Sequence, residues 1–153
     1  MFTSKALYCG LFILVSLPML DACDQAKRYT EQEYVQRAKE LQAQGKLESA
    51  VIELKNALQK NPKNSEARLR LGEIYTDLGL GEQAELELNR AKELGIDAEA
   101  LKVPMGHALL LRGLYLRVVQ EIKPGPKSPP GDIPKLLDIQ GRAQLGSAAS
   151  LQD

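Results

Sequence analysis

Small residues, large apolar residues and turn formers return along this chain at a fixed interval of 34 residues. Gly45, Gly79 and Gly113 stand at that spacing, as do Ala38, Gly72 and Gly106, and Leu41, Tyr75 and Leu109. Ala50, Ala84 and Val118 form another set; Leu54, Leu88 and Ile122 form the next; Pro62, Ile96 and Pro130 form the last. Alternating β-branched runs, the mark of strands, are absent. The body is rich in Ala, Leu, Glu, Lys and Gln, which lose little side-chain entropy in a helix. Each interval therefore predicts a hairpin of two helices, A and then B. Thr30 with Glu33 forms a capping box at the start of the first helix, and Asn64 and Asp97 are N-caps for the next two A helices. Gly45 and Gly79 fall where helix A must turn sharply into helix B. Pro62 follows the end of a B helix, which it cannot continue. Small residues at 38, 50, 72 and 84 let paired helices approach, while Tyr34, Leu41, Leu54, Leu71, Tyr75 and Leu88 fill the space between them. One such hairpin cannot bury its own apolar face, whereas about three or more stacked hairpins make a continuous core.

The units run over 31–64, 65–98 and 99–122. Residues 123–132, KPGPKSPPGD, hold too many prolines and glycines for regular helix and predict a loop. Pro124 ends the third B helix early. From Ile133 to Leu145 an apolar helical pattern resumes, with Asp132 as a possible N-cap, and 146–150 are expected to be weakly structured. The segment 133–153 is expected to be helix A of a partial fourth unit or a cap. A fragment of a longer array is favoured, because no matching helix B follows.

Residues 1–22 have the form of a secretory signal. Lys5 and the α-amino group supply the positive start, and Ala6 to Leu20 is almost wholly apolar. That run is shorter than the ~20 residues that a spanning helix needs, and Pro18 breaks it. Leu20-Asp21-Ala22-Cys23 resembles a bacterial lipobox. The resemblance implies that Cys23 is lipidated and becomes the new N-terminus, with 23–30 as the linker from the anchor. More than one acyl chain gives stable membrane attachment. Asp24, read by the enteric lipoprotein-sorting rule, favours the inner membrane. Once the leader is removed a single cysteine remains, so no intrachain disulfide can form.

The 34-residue period with its small, aromatic-or-large and proline positions resembles the tetratricopeptide repeat (TPR). The resemblance implies an all-α solenoid of helix-turn-helix units, three repeats plus a partial fourth. The second unit matches best, with Leu71-Gly72, Tyr75, Ala84, Leu88 and Ala91 at the places of the family's Leu-Gly, Tyr, Ala, Phe and Ala. The stretches AVIELKNALQKNP (50–62), RLRLGEIYTDLG (68–79) and GHALLLRGLY (106–115), together with the lipobox, further resemble the TPR-repeat lipoproteins of exosortase/PEP-CTERM systems. This implies a scaffold in the envelope of a Gram-negative bacterium, lipid-anchored and facing the periplasm. It would bind protein or peptide partners there and serve exopolysaccharide production or the sorting of tagged exported proteins. An outer-membrane or pilus-assembly lipoprotein, and the N-terminal part of a larger multidomain protein, are the alternatives.

In TPR arrays helix A of each repeat lines the concave face. The frame places Val35, Gln36, Lys39 and Gln42 there from the first unit, and Leu69, Arg70, Glu73 and Asp77 from the second. Val103, His107 and Leu110 come from the third. Val35, Lys39 and Arg70 stand where carboxylate-clamping TPRs carry Lys, Asn and Asn, so no clamp of that kind is expected.

Composition narrows the remaining choices. Twenty basic residues balance twenty acidic ones, which gives no basic footprint for nucleic acid. With no Trp, two Phe and five Tyr, stacking platforms are not evident. His107 is the sole histidine and has no partners spaced for zinc. No base–nucleophile pairing and no phosphate loop stand out. The reading is therefore a non-catalytic binding protein with no cofactor and no metal.

Overall fold

The computed structural model describes residues 29–150. The leader, Cys23, Asp24 and residues 151–153 lie outside the described residues. Seven helices make up the described chain: α1 (Glu31–Ala43), α2 (Leu47–Lys60), α3 (Ser65–Asp77), α4 (Gly81–Glu93), α5 (Ala98–Leu111), α6 (Tyr115–Glu121) and α7 (Ile133–Ala149). α1 pairs with α2, α3 with α4 and α5 with α6. The odd-numbered helices also pack side by side, α1 on α3, α3 on α5 and α5 on α7.

The A helices start on side-chain caps. The Glu33 amide donates to Thr30 Oγ1 at 3.2 Å, and Glu33 Oε2 accepts from the Thr30 amide at 2.7 Å. The Asn64 carbonyl oxygen accepts from the Ala67 amide at 2.8 Å, and an Asp97 oxygen accepts from the Glu99 amide at 3.1 Å. The B helices α2, α4 and α6 have no side-chain cap. Their entry is set by the turn before them. At Gly45, Gly79 and Gly113 φ lies between 68° and 74°, which favours glycine. The residue after each glycine donates back to helix A: Lys46 to Leu41, Leu80 to Tyr75, Leu114 to Leu109, at 2.8–3.0 Å. The turn that ends one helix thus launches the next.

Three clusters form a continuous core. Val35, Ala38, Ala50, Leu54, Ala57, Leu71 and Ile74 close the first seam. Ala84, Leu88, Ala91, Leu101 and Ala108 close the second, and Leu109, Val118, Ile122, Leu136, Ile139 and Ala143 the third. Leu54, Leu71 and Leu88 are buried, while Tyr34, Leu41 and Tyr75 pack half-buried at the margins. Gly72 receives Leu88 so closely that a Cβ there would stand 2.6 Å from Leu88 Cγ. A Cβ on Gly106 would stand 3.0 Å from Ile122 and 2.9 Å from Ile139. Ion pairs bind the hairpins across their outer edges: Arg37 to Glu53 at 2.9 Å and Arg68 to Glu87 at 2.6 Å. Glu85 of α4 takes hydrogen bonds from both Arg112 and Arg117, tying the second hairpin to the third. Burial pushes the Glu85 carboxyl up, but these two guanidiniums outweigh it and hold it below the usual range.

The 123–132 segment is a loop pinned to α5. Lys102 donates to the Lys123 carbonyl at 2.9 Å, and the buried Ser128 hydroxyl donates to Glu99 at 2.7 Å while accepting from the Gly125 amide at 2.8 Å. Two expectations for the tail are corrected. Asp132 does not cap α7: its backbone is already helical and its carboxylate accepts from Lys135 at 3.0 Å. Pro134 occupies the first turn instead, where a missing N–H breaks no helical bond. The 146–150 stretch is not weakly structured, because α7 runs on to Ala149. Gly146 there lets α7 close on the Tyr115 ring, which a Cβ would meet at 2.6 Å. Pro104 sits inside α5, and the helix persists around it. The carbonyl that loses its partner belongs to Ala100, which is exposed to water.

Two glycines at the same repeat position should respond oppositely to an added methyl. In Gly72→Ala, overpacking against Leu88 costs ~1–3 kcal/mol and outweighs a helix-propensity gain of up to ~1 kcal/mol, so stability falls. Gly141 has nothing within 4 Å of an added Cβ, so Gly141→Ala should gain ~0.5–1 kcal/mol. Urea-unfolding midpoints of the two variants against wild type check both signs.

Candidate functional site: the groove along the A helices

Side-by-side packing of α1, α3 and α5 leaves one open face, and a cleft of about 340 Å³ lies across all three helices. It is lined by Gln42 of α1, by Glu73, Thr76 and Asp77 of α3, and by Val103, Pro104 and His107 of α5. A second cleft of about 150 Å³ continues it toward α7 through Thr76, His107, Leu110, Leu111 and Arg142. The groove therefore runs from the first hairpin to the last helix.

Its charge changes along its length. At the α1 end Lys39 pairs with Glu66 at 2.6 Å, and Arg70 reaches Glu66 at 3.4 Å and Glu73 at 4.0 Å. The hydrogen bond from Lys39 holds the Glu66 carboxyl below its usual range. Gln36 is exposed and donates to Glu40 at 3.2 Å. In the middle the groove is acidic. Burial pushes the Glu73 carboxyl up; Arg70 opposes the shift and Asp77 adds to it. Burial likewise pushes the His107 imidazole below its ordinary range. Arg142 acts in the same direction, Asp138 and Asp77 oppose it, and Lys135 adds a further downward push. At neutral pH His107 is thus a neutral group that can donate through one ring nitrogen and accept through the other.

Of the expected groove residues, Gln42, Glu73, Asp77, Val103 and His107 line one cleft, and Leu110 lines its continuation. Lys39 and Arg70 meet at Glu66. Val35 is corrected: it is 3% exposed and lies in the core with Leu71 and Ile74 of α3. Its frame position looks toward the A helix of the following unit, not into the groove. Leu69, at the same place, packs half-buried against the cluster that holds Leu101 and Ala108. Thr76, Pro104 and Arg142 were not anticipated. The period itself signals Thr76, since it stands 34 residues after Gln42. Arg142 follows His107 by 35 residues, because the loop before α7 shifts the frame by one, and a strict period misses it.

Among the described residues no group of His, Cys, Asp and Glu is arranged to hold a metal ion, and no helix is long and apolar enough to cross a membrane. Cys23, the expected lipidation site, lies outside the described residues.

Stacked A–B hairpins with a groove along the A helices define a helical-repeat scaffold. Residues 41–103 match the family model for the tetratricopeptide repeat, which supports that superfamily through the middle of the chain. The fold is an all-α tetratricopeptide-type solenoid. Repeats of this kind generally hold protein partners and are generally not catalytic. No curated protein matches the chain.

The His107 shift has a stability consequence with a definite sign. Its folded-state pKa is depressed, so below the ordinary imidazole value of ~6.5 the unfolded chain binds the proton more readily. Stability should fall as pH drops through that value, by more in wild type than in His107→Gln. Urea midpoints of both proteins between pH 7.5 and 5.5 measure the difference.

Proposed function

We propose that this protein is a lipid-anchored periplasmic scaffold that holds an extended segment of an envelope partner in the α1–α3–α5 groove. The observation that carries the groove assignment is the joining of Gln42, Glu73, Thr76, Asp77 and His107, from three successive hairpins, into one open cleft. No single hairpin contains that surface, so the stack makes it. Side-chain amide, hydroxyl, carboxylate and imidazole together offer donors and acceptors to a peptide backbone. Glu73 and Asp77 favour a basic side chain at the centre, because a cation there relieves the repulsion between the two carboxylates and offsets the desolvation of Glu73. The cleft is largely formed before any partner arrives, so binding orders mainly the ligand.

Anchoring rests on the leader and on Leu20-Asp21-Ala22-Cys23. The link to exosortase/PEP-CTERM export or exopolysaccharide production rests on the sequence resemblance over 50–62, 68–79 and 106–115.

One experiment in a Gram-negative host that carries such an export system tests both halves. Intact mass after membrane fractionation should show a membrane species that begins at Cys23 with added acyl mass, lost in Cys23→Ser. Reversing the charges of Lys39, Arg70 and Glu73 together should keep helical circular dichroism and membrane attachment but reduce secreted polysaccharide or export of tagged protein. A soluble, unacylated product from wild type would sink the anchor. Unchanged secretion in the charge-reversed strain would sink the groove.

A further inference from the structure

A different face, on the last helix, has the form of half an interface. In the second hairpin Gly72 of α3 lies under Leu88 of α4, and in the third Gly106 of α5 lies under Ile122, just past the end of α6. Gly141 is the corresponding glycine of α7: it follows Leu136 by the same five residues that separate Gly72 from Ala67 and Gly106 from Leu101, all buried. Yet a Cβ on Gly141 would meet nothing within 4 Å. Around it the stripe Ile133, Leu137 and Leu145 rises at four- and eight-residue steps, and Leu137 and Leu145 are 56% and 74% exposed. α7 therefore presents the surface that the earlier A helices give to a B helix, with its glycine slot open.

The chain beside this slot does not turn back to fill it. In each hairpin a glycine with positive φ follows the small position by seven residues: Gly45 after Ala38, Gly79 after Gly72, Gly113 after Gly106. Seven residues after Gly141 stands Ala148, and α7 runs through that point without a break. α7 is 17 residues long, against 13 for α3 and 14 for α5.

We propose that this face of α7 docks one amphipathic α-helix supplied by a partner protein, seated antiparallel as a B helix seats on its A helix. The repeated interface specifies the occupant's chemistry. A Leu or Ile enters over Gly141, as Leu88 does over Gly72. A small residue lies four places before it, as Ala84 does before Leu88 and Ala50 before Leu54. The residue just before the Leu is apolar, in contrast to α4. There Glu87 pairs with Arg68 at 2.6 Å, but α7 has Leu137 at the place of Arg68, four residues before its glycine. A carboxylate set against Leu137 would be desolvated with no cation to pair with. The preference is thus for small-x-x-apolar-Leu, a pattern shifted from the chain's own B helices by one residue.

The test uses the full chain in mild detergent and a fluorescent peptide of α4, Gly81–Glu93, carrying Glu87→Leu and held helical by a lactam on its outer face. Anisotropy should show saturable binding. Gly141→Leu, which fills the slot on an exposed helix and leaves the fold intact by circular dichroism, should weaken binding at least tenfold. Leu137→Arg should reverse the preference, so that the unmodified α4 peptide binds better than its Glu87→Leu form. No saturable binding, or binding that survives Gly141→Leu, overturns the proposal. So does sedimentation of the chain alone as a dimer that Gly141→Leu dissociates, since the occupant would then be a second copy.

Discussion

Everything in this molecule depends on how closely a B helix can approach its A helix. The approach is fixed by a small residue on A facing a large one on B. Gly72 under Leu88 and Gly106 under Ile122 leave no room for a methyl group. Ala38 lies in the same buried cluster as Leu54 in the first hairpin. Dispersion forces fall off steeply with small gaps, so this close fit sets both the spacing and the stability of each hairpin. Once the spacing is set, the positive-φ glycines set the reversal, and hairpins of one shape stack in one direction. The groove is a consequence of that repetition and not a separately built feature.

The outer edges add ion pairs that a stack of bare hairpins would lack. Arg37 with Glu53 and Arg68 with Glu87 lie along the hairpin edges, and Glu85 accepts from two arginines of the next unit. Partly exposed pairs of this kind contribute little to stability by themselves. Their geometry nevertheless disfavours other registers, since a slipped helix would leave carboxylates near the core without guanidiniums. The acidic centre of the groove differs, because burial and Asp77 act together on Glu73 without full compensation from Arg70. An uncompensated group in an open cleft is the one on which a ligand can act.

Much of this was legible in the sequence because its determinants are local and recur. The capping residues Thr30, Asn64 and Asp97, the turn glycines 45, 79 and 113, and the small positions 38, 72 and 106 each carry their own chemistry. Their spacing repeats it. What was not legible depends on neighbours in space. Val35 has the frame position of a groove residue, yet the next A helix covers it. Arg142 joins the groove only because the loop before α7 displaces the frame by one residue. The stretch 146–150 lacks strong apolar periodicity, but small residues are good helix formers when a helix already precedes them, and Gly146 closes on Tyr115. Asp132 has the identity of an N-cap but not its backbone conformation, which no single residue type determines.

The most direct measurement of the central claim is photo-crosslinking in living cells, with a benzophenone amino acid placed at Thr76 inside the groove or at Leu86 on the outer surface. Thr76 lines both clefts, and Leu86 is exposed on α4. The account predicts a discrete crosslinked product from Thr76 that Asp77→Lys abolishes, and no such product from Leu86. Equal products from both positions, or a product from Leu86 alone, would contradict a groove that holds the partner.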